Sequence, residues 1–185
     1  MHVVLFQPEI PPNTGNVARL CAAMQVSLHL IEPLGFKLED RYLKRAGLDY
    51  WPHVDMAVWP DLDAYIRNAG AGRRLVLTSA RRGAALHRFE FTENDSLVFG
   101  RETSGLPPEV IGLSQHHVRI PIKGEVRSIN LSTAAGIVLF QALVSAGLVG
   151  EYVAGVEGQI TQIHLERSFD NVQYIFGIPM NSHIN

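Results

Sequence analysis

Short apolar runs separated by polar stretches rich in glycine and proline recur along this chain, at intervals suited to alternating strands and helices. The β-branched run at 3–6 predicts a central strand covered on both faces. Pro8, Pro11 and Pro12 then interrupt regular structure, and Asn13 is placed to cap a helix over 14–25 with Val17, Leu20, Cys21 and Met24 on one face. Further strands are predicted at 28–31, 55–59, 75–78, 96–99 and 118–122. Helices are predicted at 39–46, from Pro60 to about 68, at 107–111 and at 131–149. This alternation predicts an α/β fold, a mostly parallel sheet with helices on both faces.

The helix at 131–149 carries Ala134, Ala135, Ile137, Val138, Leu139, Phe140, Ala142, Leu143 and Val144, which leave it almost no polar face. Burial on all sides is expected, against the sheet and in a homodimer interface together. Beyond Gly150 the pattern changes, although Ile160, Ile163, Leu165, Phe169, Tyr174 and Phe176 are too many apolar groups for a solvated tail. The expected organisation is one domain at 1–149 and a docked extension at 150–185.

Composition narrows the partners. Sixteen basic and eighteen acidic side chains among 185 residues give a net charge of -2, which argues against coating nucleic acid by bulk charge and leaves room for local patches. Arg41, Lys44 and Arg45 fall on one face of the helix expected at 39–46, and Arg73-Arg74, Arg81-Arg82 and His87-Arg88 add further clusters. The lone Cys21 reads as a buried, inert thiol. No secretory leader pattern is present, and the apolar run at 134–149 is broken by Gly136, Gln141, Ser145 and Gly147, too short and interrupted to cross a bilayer. A cytoplasmic location is expected.

Three polar segments each follow a strand-like run: Asn13-Thr14-Gly15-Asn16-Val17-Ala18-Arg19, Phe99-Gly100-Arg101-Glu102-Thr103-Ser104-Gly105-Leu106-Pro107 and Arg127-Ser128-Ile129-Asn130-Leu131-Ser132-Thr133-Ala134. Ligands gather at the carboxyl ends of strands in open α/β sheets, so the three are expected to build one site. Neither a phosphate-binding P-loop nor a Gly-x-Gly-x-x-Gly turn is present, which disfavours nucleotide hydrolysis and nicotinamide chemistry. The histidines show no metal-ligand spacing, and no metal is expected.

Pro8-Glu9-Ile10-Pro11-Pro12-Asn13-Thr14-Gly15-Asn16, Ile31-Glu32-Pro33-Leu34-Gly35-Phe36, Lys44-Arg45-Ala46-Gly47-Leu48-Asp49-Tyr50, Arg119-Ile120-Pro121-Ile122 and the second and third segments together closely resemble the small knotted tRNA 2'-O-ribose methyltransferases of the SPOUT superfamily, in the group acting on cytidine or uridine 34. The resemblance spans residues 1 to 148 and implies a C-terminal deep trefoil knot that binds S-adenosyl-L-methionine. By position, Leu77, Gly100, Ile120, Ser128 and Asn130 would contact the cofactor, the glycine letting backbone approach it closely. Arg19 and Glu102 would be catalytic. Arg19 would orient the ribose and stabilise the developing alkoxide or act as base, and Glu102 would hold Arg19 or a loop amide. Asn13, Asn16, Arg41, Lys44 and Arg45 would contact the tRNA anticodon stem-loop, with tRNA-Leu as the expected substrate. Asn130 and Ser132 read equally well as helix caps. A non-catalytic RNA-binding protein with the same fold is the alternative, as is 2'-O-methylation of another RNA.

Overall fold

The computed structural model describes residues 1–38, 53–149, 152–154 and 160–162. In chain order its first elements are β1 (His2–Phe6), α1 (Pro11–Met24), β2 (Ser27–Ile31), β3 (Met56–Trp59) and α2 (Leu62–Arg67). Next come β4 (Arg74–Thr78), the two-residue β5 (Ala84–Ala85), a 3-10 turn (Leu86–Arg88) and β6 (Asp95–Phe99). The series ends with α3 (Pro108–Ile111), β7 (His117–Arg119) and α4 (Leu131–Ser145). These belong to a compact unit, Met1–Leu148. In the second unit, Val149–Asn185, the strands β8 (Tyr152–Ala154) and β9 (Ile160–Gln162) pair antiparallel.

All seven strands of the first unit are parallel, in the order β3-β2-β1-β6-β4-β7-β5. Alternation along the central strands sends side chains to two cores, as a doubly covered sheet requires. Val3, Leu5, Leu97 and Phe99 meet Val17 and Cys21 of α1 and Val138 and Leu139 of α4. Val4, Phe6, Leu77 and Val98 meet Leu62 and Tyr65 of α2 and Val110 of α3. Arg74 and the fully buried Asp95 tie the N-terminal ends of β4 and β6 together in a two-pronged ion pair of 2.7 and 2.8 Å, with Arg74 also 5.2 Å over the Phe89 ring. Arg74 is therefore engaged inside the fold and withdrawn from the basic clusters predicted at the surface. Cys21 is fully buried, and that burial pushes its thiol up to about 12.

Several elements depart from expectation. Pro11 and Pro12 start α1 instead of forbidding it, because proline's fixed φ suits the first helical turn and its missing N–H has no partner there anyway. Asn13 thus lies inside the first turn and is not the cap. Pro60 precedes α2, whose cap is Asp61, accepting from the Ala64 amide at 2.6 Å. β7 ends at Arg119, and residues 120–130 form neither strand nor helix. The helix expected at 39–46, with Arg41, Lys44 and Arg45, lies outside the described residues. Nor is α4 buried on all sides: Ile137, Phe140 and Val144 are 42, 53 and 48% exposed, at the i, i+3, i+7 spacing of one stripe. Among the described residues no helix is long and apolar enough to cross a membrane.

A compact aromatic cluster sits between the sheet and α2. The His2 and His29 rings lie 4.5 Å apart, and His29 lies 4.9 Å from Tyr65. His29 Nδ1 accepts from Trp59 Nε1 at 3.1 Å, while its Nε2 is buried without a partner among the described residues. Burial pushes both histidines down to about 4, His2 further through the charge of His29; for His29, Asp55 acts in the opposite direction and Arg73 reinforces the lowering. Between pH 6.5 and 4 the unfolded chain therefore binds protons that the folded chain refuses, so stability falls as pH drops through this window. Urea denaturation followed at a series of pH values should show a falling midpoint over that range. His29→Asn, which keeps an acceptor for Trp59, should flatten the slope.

Candidate functional site

β1 and β6 are neighbours in the sheet, with His2 opposite Ser96 and Leu5 opposite Phe99. The loops that follow them therefore leave the same end side by side. Gln7, in a left-handed conformation at φ 51°, turns the chain out of β1, and its side-chain oxygen accepts from Arg101 of the other loop. Two carboxylates then clasp the loops reciprocally. Glu102 accepts from the Glu9 and Ile10 amides at 2.8 and 3.3 Å, and Glu9 accepts from the Thr103 amide at 3.0 Å and the Thr103 hydroxyl at 2.8 Å. The hydroxyl, and next the amide, of Thr103 hold the Glu9 carboxyl below its usual range.

The second loop closes on itself through Arg101 and Gly105, whose amides and carbonyls pair at 3.2 and 2.9 Å. Gly105 sits at φ +70°, where a side chain is strained. A Cβ at Gly100 would collide with the backbone of Gly105 and Leu106. The loop's own return thus excludes a side chain at Gly100.

Asn13 and Asn130 join the third segment to these two. Asn130 caps α4, its Oδ1 accepting from the Ser132 amide at 2.9 Å, the Ser132 hydroxyl at 2.7 Å and the Thr133 amide at 3.3 Å. That role turns its Nδ2 outward as a donor, to Asn13 Oδ1 at 2.9 Å. Asn13 is then left with its own Nδ2 facing Glu102 Oε1 at 3.1 Å. The two amides and the carboxylate thus form one hydrogen-bond chain of fixed direction, running from the start of α4 through the start of α1 to the loop after β6.

The remaining predicted residues distribute as follows. Arg19 and Asn16 are exposed three residues apart on α1. Ser128 is exposed and Ile120 half-buried in the irregular stretch before α4. Leu77 is fully buried, packed in the core on the α2 side of the sheet. Arg41, Lys44 and Arg45 lie outside the described residues. Gln7 and Glu9 were not singled out from the sequence, because their partners Arg101 and Thr103 are each 94 residues away. Among the described residues, no backbone-to-backbone hydrogen bond outside the strands uses residues 120–129.

The family model for the SpoU rRNA methylase family matches residues 1–140. A tRNA (cytidine(34)-2'-O)-methyltransferase of Methylovorus glucosotrophus (strain SIP3-4) is 47% identical over 142 residues, covering 76% of this chain and 92% of that protein. A solved structure described as giving structural insights into the 2-OH methylation of C/U34 on tRNA has a TM-score of 0.75 and 48% identity, covering 78% of this chain and 94% of its own. An AdoMet-bound rRNA methyltransferase from Sinorhizobium meliloti has a TM-score of 0.71 and 25% identity, covering 77% of this chain and 55% of its own.

The direction of the hydrogen-bond chain makes a sharp prediction. Asn13→Ala removes a donor to Glu102 and the acceptor of Asn130 Nδ2, both partly open to solvent, and should cost about 0.5–1.5 kcal/mol by urea denaturation. Asn13→Asp puts an oxygen against the Glu102 carboxylate and should cost more than the alanine at pH 7, with the difference shrinking as the medium is acidified toward the carboxylate range. Equal losses at pH 7 would contradict the assigned direction.

Proposed function

Since the chain belongs to the SpoU rRNA methylase family, we propose that it methylates the ribose 2'-hydroxyl of the wobble nucleotide, cytidine or uridine 34, of tRNA, with tRNA-Leu as substrate. The observation that carries this reading is the Glu102–Asn13–Asn130 chain, which gathers the three polar segments into one place in a protein 47% identical to a tRNA (cytidine(34)-2'-O)-methyltransferase.

S-adenosyl-L-methionine is the methyl donor, and it supplies a methyl group on a positively charged sulfur, open to attack by an oxygen. Residues 120–129 fit such a molecule, with main-chain groups that no backbone-to-backbone hydrogen bond outside the strands occupies among the described residues, the exposed Ser128 hydroxyl and the half-buried Ile120. Asn130 closes this stretch, and Leu77, which the resemblance would also set at the cofactor, packs its side chain in the core and donates its amide to the His116 carbonyl at 2.8 Å. The family resemblance implies a C-terminal deep trefoil knot, and the methyltransferase reading attaches to 1–149.

Arg19 acts as a hydrogen-bond donor, since a guanidinium carries five N–H donors and no acceptor. It orients the ribose and stabilises the oxygen as negative charge develops, and most of the acceleration comes from alignment. Glu102 is a positioning residue: its oxygens hold the N-terminus of α1 through the Glu9 and Ile10 amides and Asn13. Asn16 shares the Arg19 face and contacts the RNA, and Arg41, Lys44 and Arg45 meet the anticodon stem. The exposed Ile137, Phe140 and Val144 stripe of α4 pairs two copies into a homodimer that works in the cytoplasm.

Incubation with tritiated S-adenosylmethionine and unmodified tRNA-Leu, followed by nucleoside mass spectrometry, should find 2'-O-methylation at position 34. Methylation elsewhere would reassign the RNA, and RNA binding without methylation would point to the non-catalytic alternative. Arg19→Ala should lower turnover by about 100-fold or more while S-adenosylhomocysteine affinity stays within about twofold. Equal loss of both would place Arg19 at the cofactor instead. Phe140→Glu should convert a dimer to a monomer in sedimentation experiments.

A further inference from the structure

The outer edge of the sheet, three strands from β6, carries a second concavity that the reading above does not use. It encloses about 400 Å³ and is lined by Arg82, Gly83, Ala84, Phe89, Ile111, Gln115 and His117. With neighbouring strands about 4.8 Å apart, β5 lies about 14 Å from β6 and its site loop. The hollow is thus separate from the Glu102–Asn13–Asn130 junction.

Its chemistry is one-sided. The turn between β4 and β5 is fastened by the Ser79 hydroxyl, which accepts from the Arg81 and Arg82 amides at 3.2 and 3.1 Å. Both side chains are exposed at that turn. Arg119, two residues beyond His117 on β7, donates its Nε to the Gly83 carbonyl at 3.2 Å and so brings a third guanidinium to the same turn. Among the described residues no carboxylate lines the hollow, and the one ion pair is Arg74 with Asp95. Arg81, Arg82 and Arg119 thus form a cationic rim that has no carboxylate partner among the described residues. Inside, Phe89 and Ile111 provide apolar walls, and Gln115 offers an amide. His117 Nε2 donates to the Ser114 carbonyl at 2.7 Å, which leaves Nδ1 as the acceptor of the neutral ring. Cations at the mouth, apolar walls and a donor and acceptor within are what an unstacked nucleotide requires.

We propose that this hollow binds a nucleotide of the substrate RNA away from the methylated one, with Arg81, Arg82 and Arg119 on its phosphate and the base between Phe89 and Ile111, read by Gln115 and His117. The proposal rests on the RNA-methyltransferase reading for its ligand class. The competing role for charges here is to guard a sheet edge against association, which would not affect RNA affinity.

The test uses the full chain and an unmodified anticodon stem-loop RNA, with binding measured between 50 and 200 mM salt, a range over which about 10³–10⁵ in affinity is lost when six to ten phosphates are contacted. Arg82→Gln should raise Kd about tenfold and reduce the slope of log K against log salt by about one, whereas Arg82→Lys should keep the slope. Gln115→Ala should raise Kd with the slope intact. S-adenosylhomocysteine affinity and thermal midpoint, retained in each variant, serve as the check on folding. Wild-type Kd and slope in Arg82→Gln would overturn the proposal. If the wild type binds the RNA through Arg82 but methylates none, the methyltransferase reading falls and the nucleotide site stands; if it binds no RNA, both fall.

Discussion

The parallel pairing of β1 with β6 places Leu5 beside Phe99, and both strands must then release their chains at the same end of the sheet. Everything at the candidate site follows from that adjacency. Two loops that no local rule relates are brought within hydrogen-bonding distance, and each supplies a carboxylate that satisfies donors on the other. The clasp is more than a crossed pair of contacts, because Glu102 meets amides at the start of α1 that no helical carbonyl can reach. A carboxylate there also suits the positive end of the helix dipole. The carboxylate therefore sets where α1 begins, and with it the placement of Asn16 and Arg19 further along.

Direction is the second consequence. An asparagine side chain can turn either way, but the α4 cap demands an oxygen from Asn130, and this choice propagates to Asn13 and then to Glu102. Neither amide retains a choice. A polar network whose every member is oriented by its neighbour is rigid at low cost, and rigidity is what alignment of an oxygen with a methyl group asks of a protein.

Much of this was legible in the residues, and what escaped has identifiable causes. Apolar runs marked the strands because both faces of the sheet are covered; the buried Cys21 and the Asn130 cap were readable from their immediate neighbours. The start of α1 was misjudged because prolines that break a helix interior are welcome in its first turn. The two-residue β5 has no pattern of its own and exists only as an addition to β7. The solvent-facing stripe of α4 was hidden by composition, since a helix apolar all round does not announce which side its own chain leaves uncovered. At Gly100, expected to let backbone approach the cofactor, a side chain would meet the backbone of Gly105 and Leu106, five and six residues on. Convergence of the three polar segments was inferable from the carboxyl-end rule, but their linkage through Asn13 depended on partners 89 and 117 residues away.

Those separations bear on the order of events as the chain emerges from the ribosome. Asn13 is made early, yet it cannot meet its acceptor until residue 102 has been synthesised, nor its donor until residue 130 has followed. Through most of synthesis the start of α1 lacks both contacts, and a chain interrupted before α4 carries Arg19 without the finished network beside it. Closure of loops this long is entropically unfavourable and slow relative to local helix formation. Completion of the site is therefore a late event, and a truncated product would be fold-poor and silent before it could be half-active.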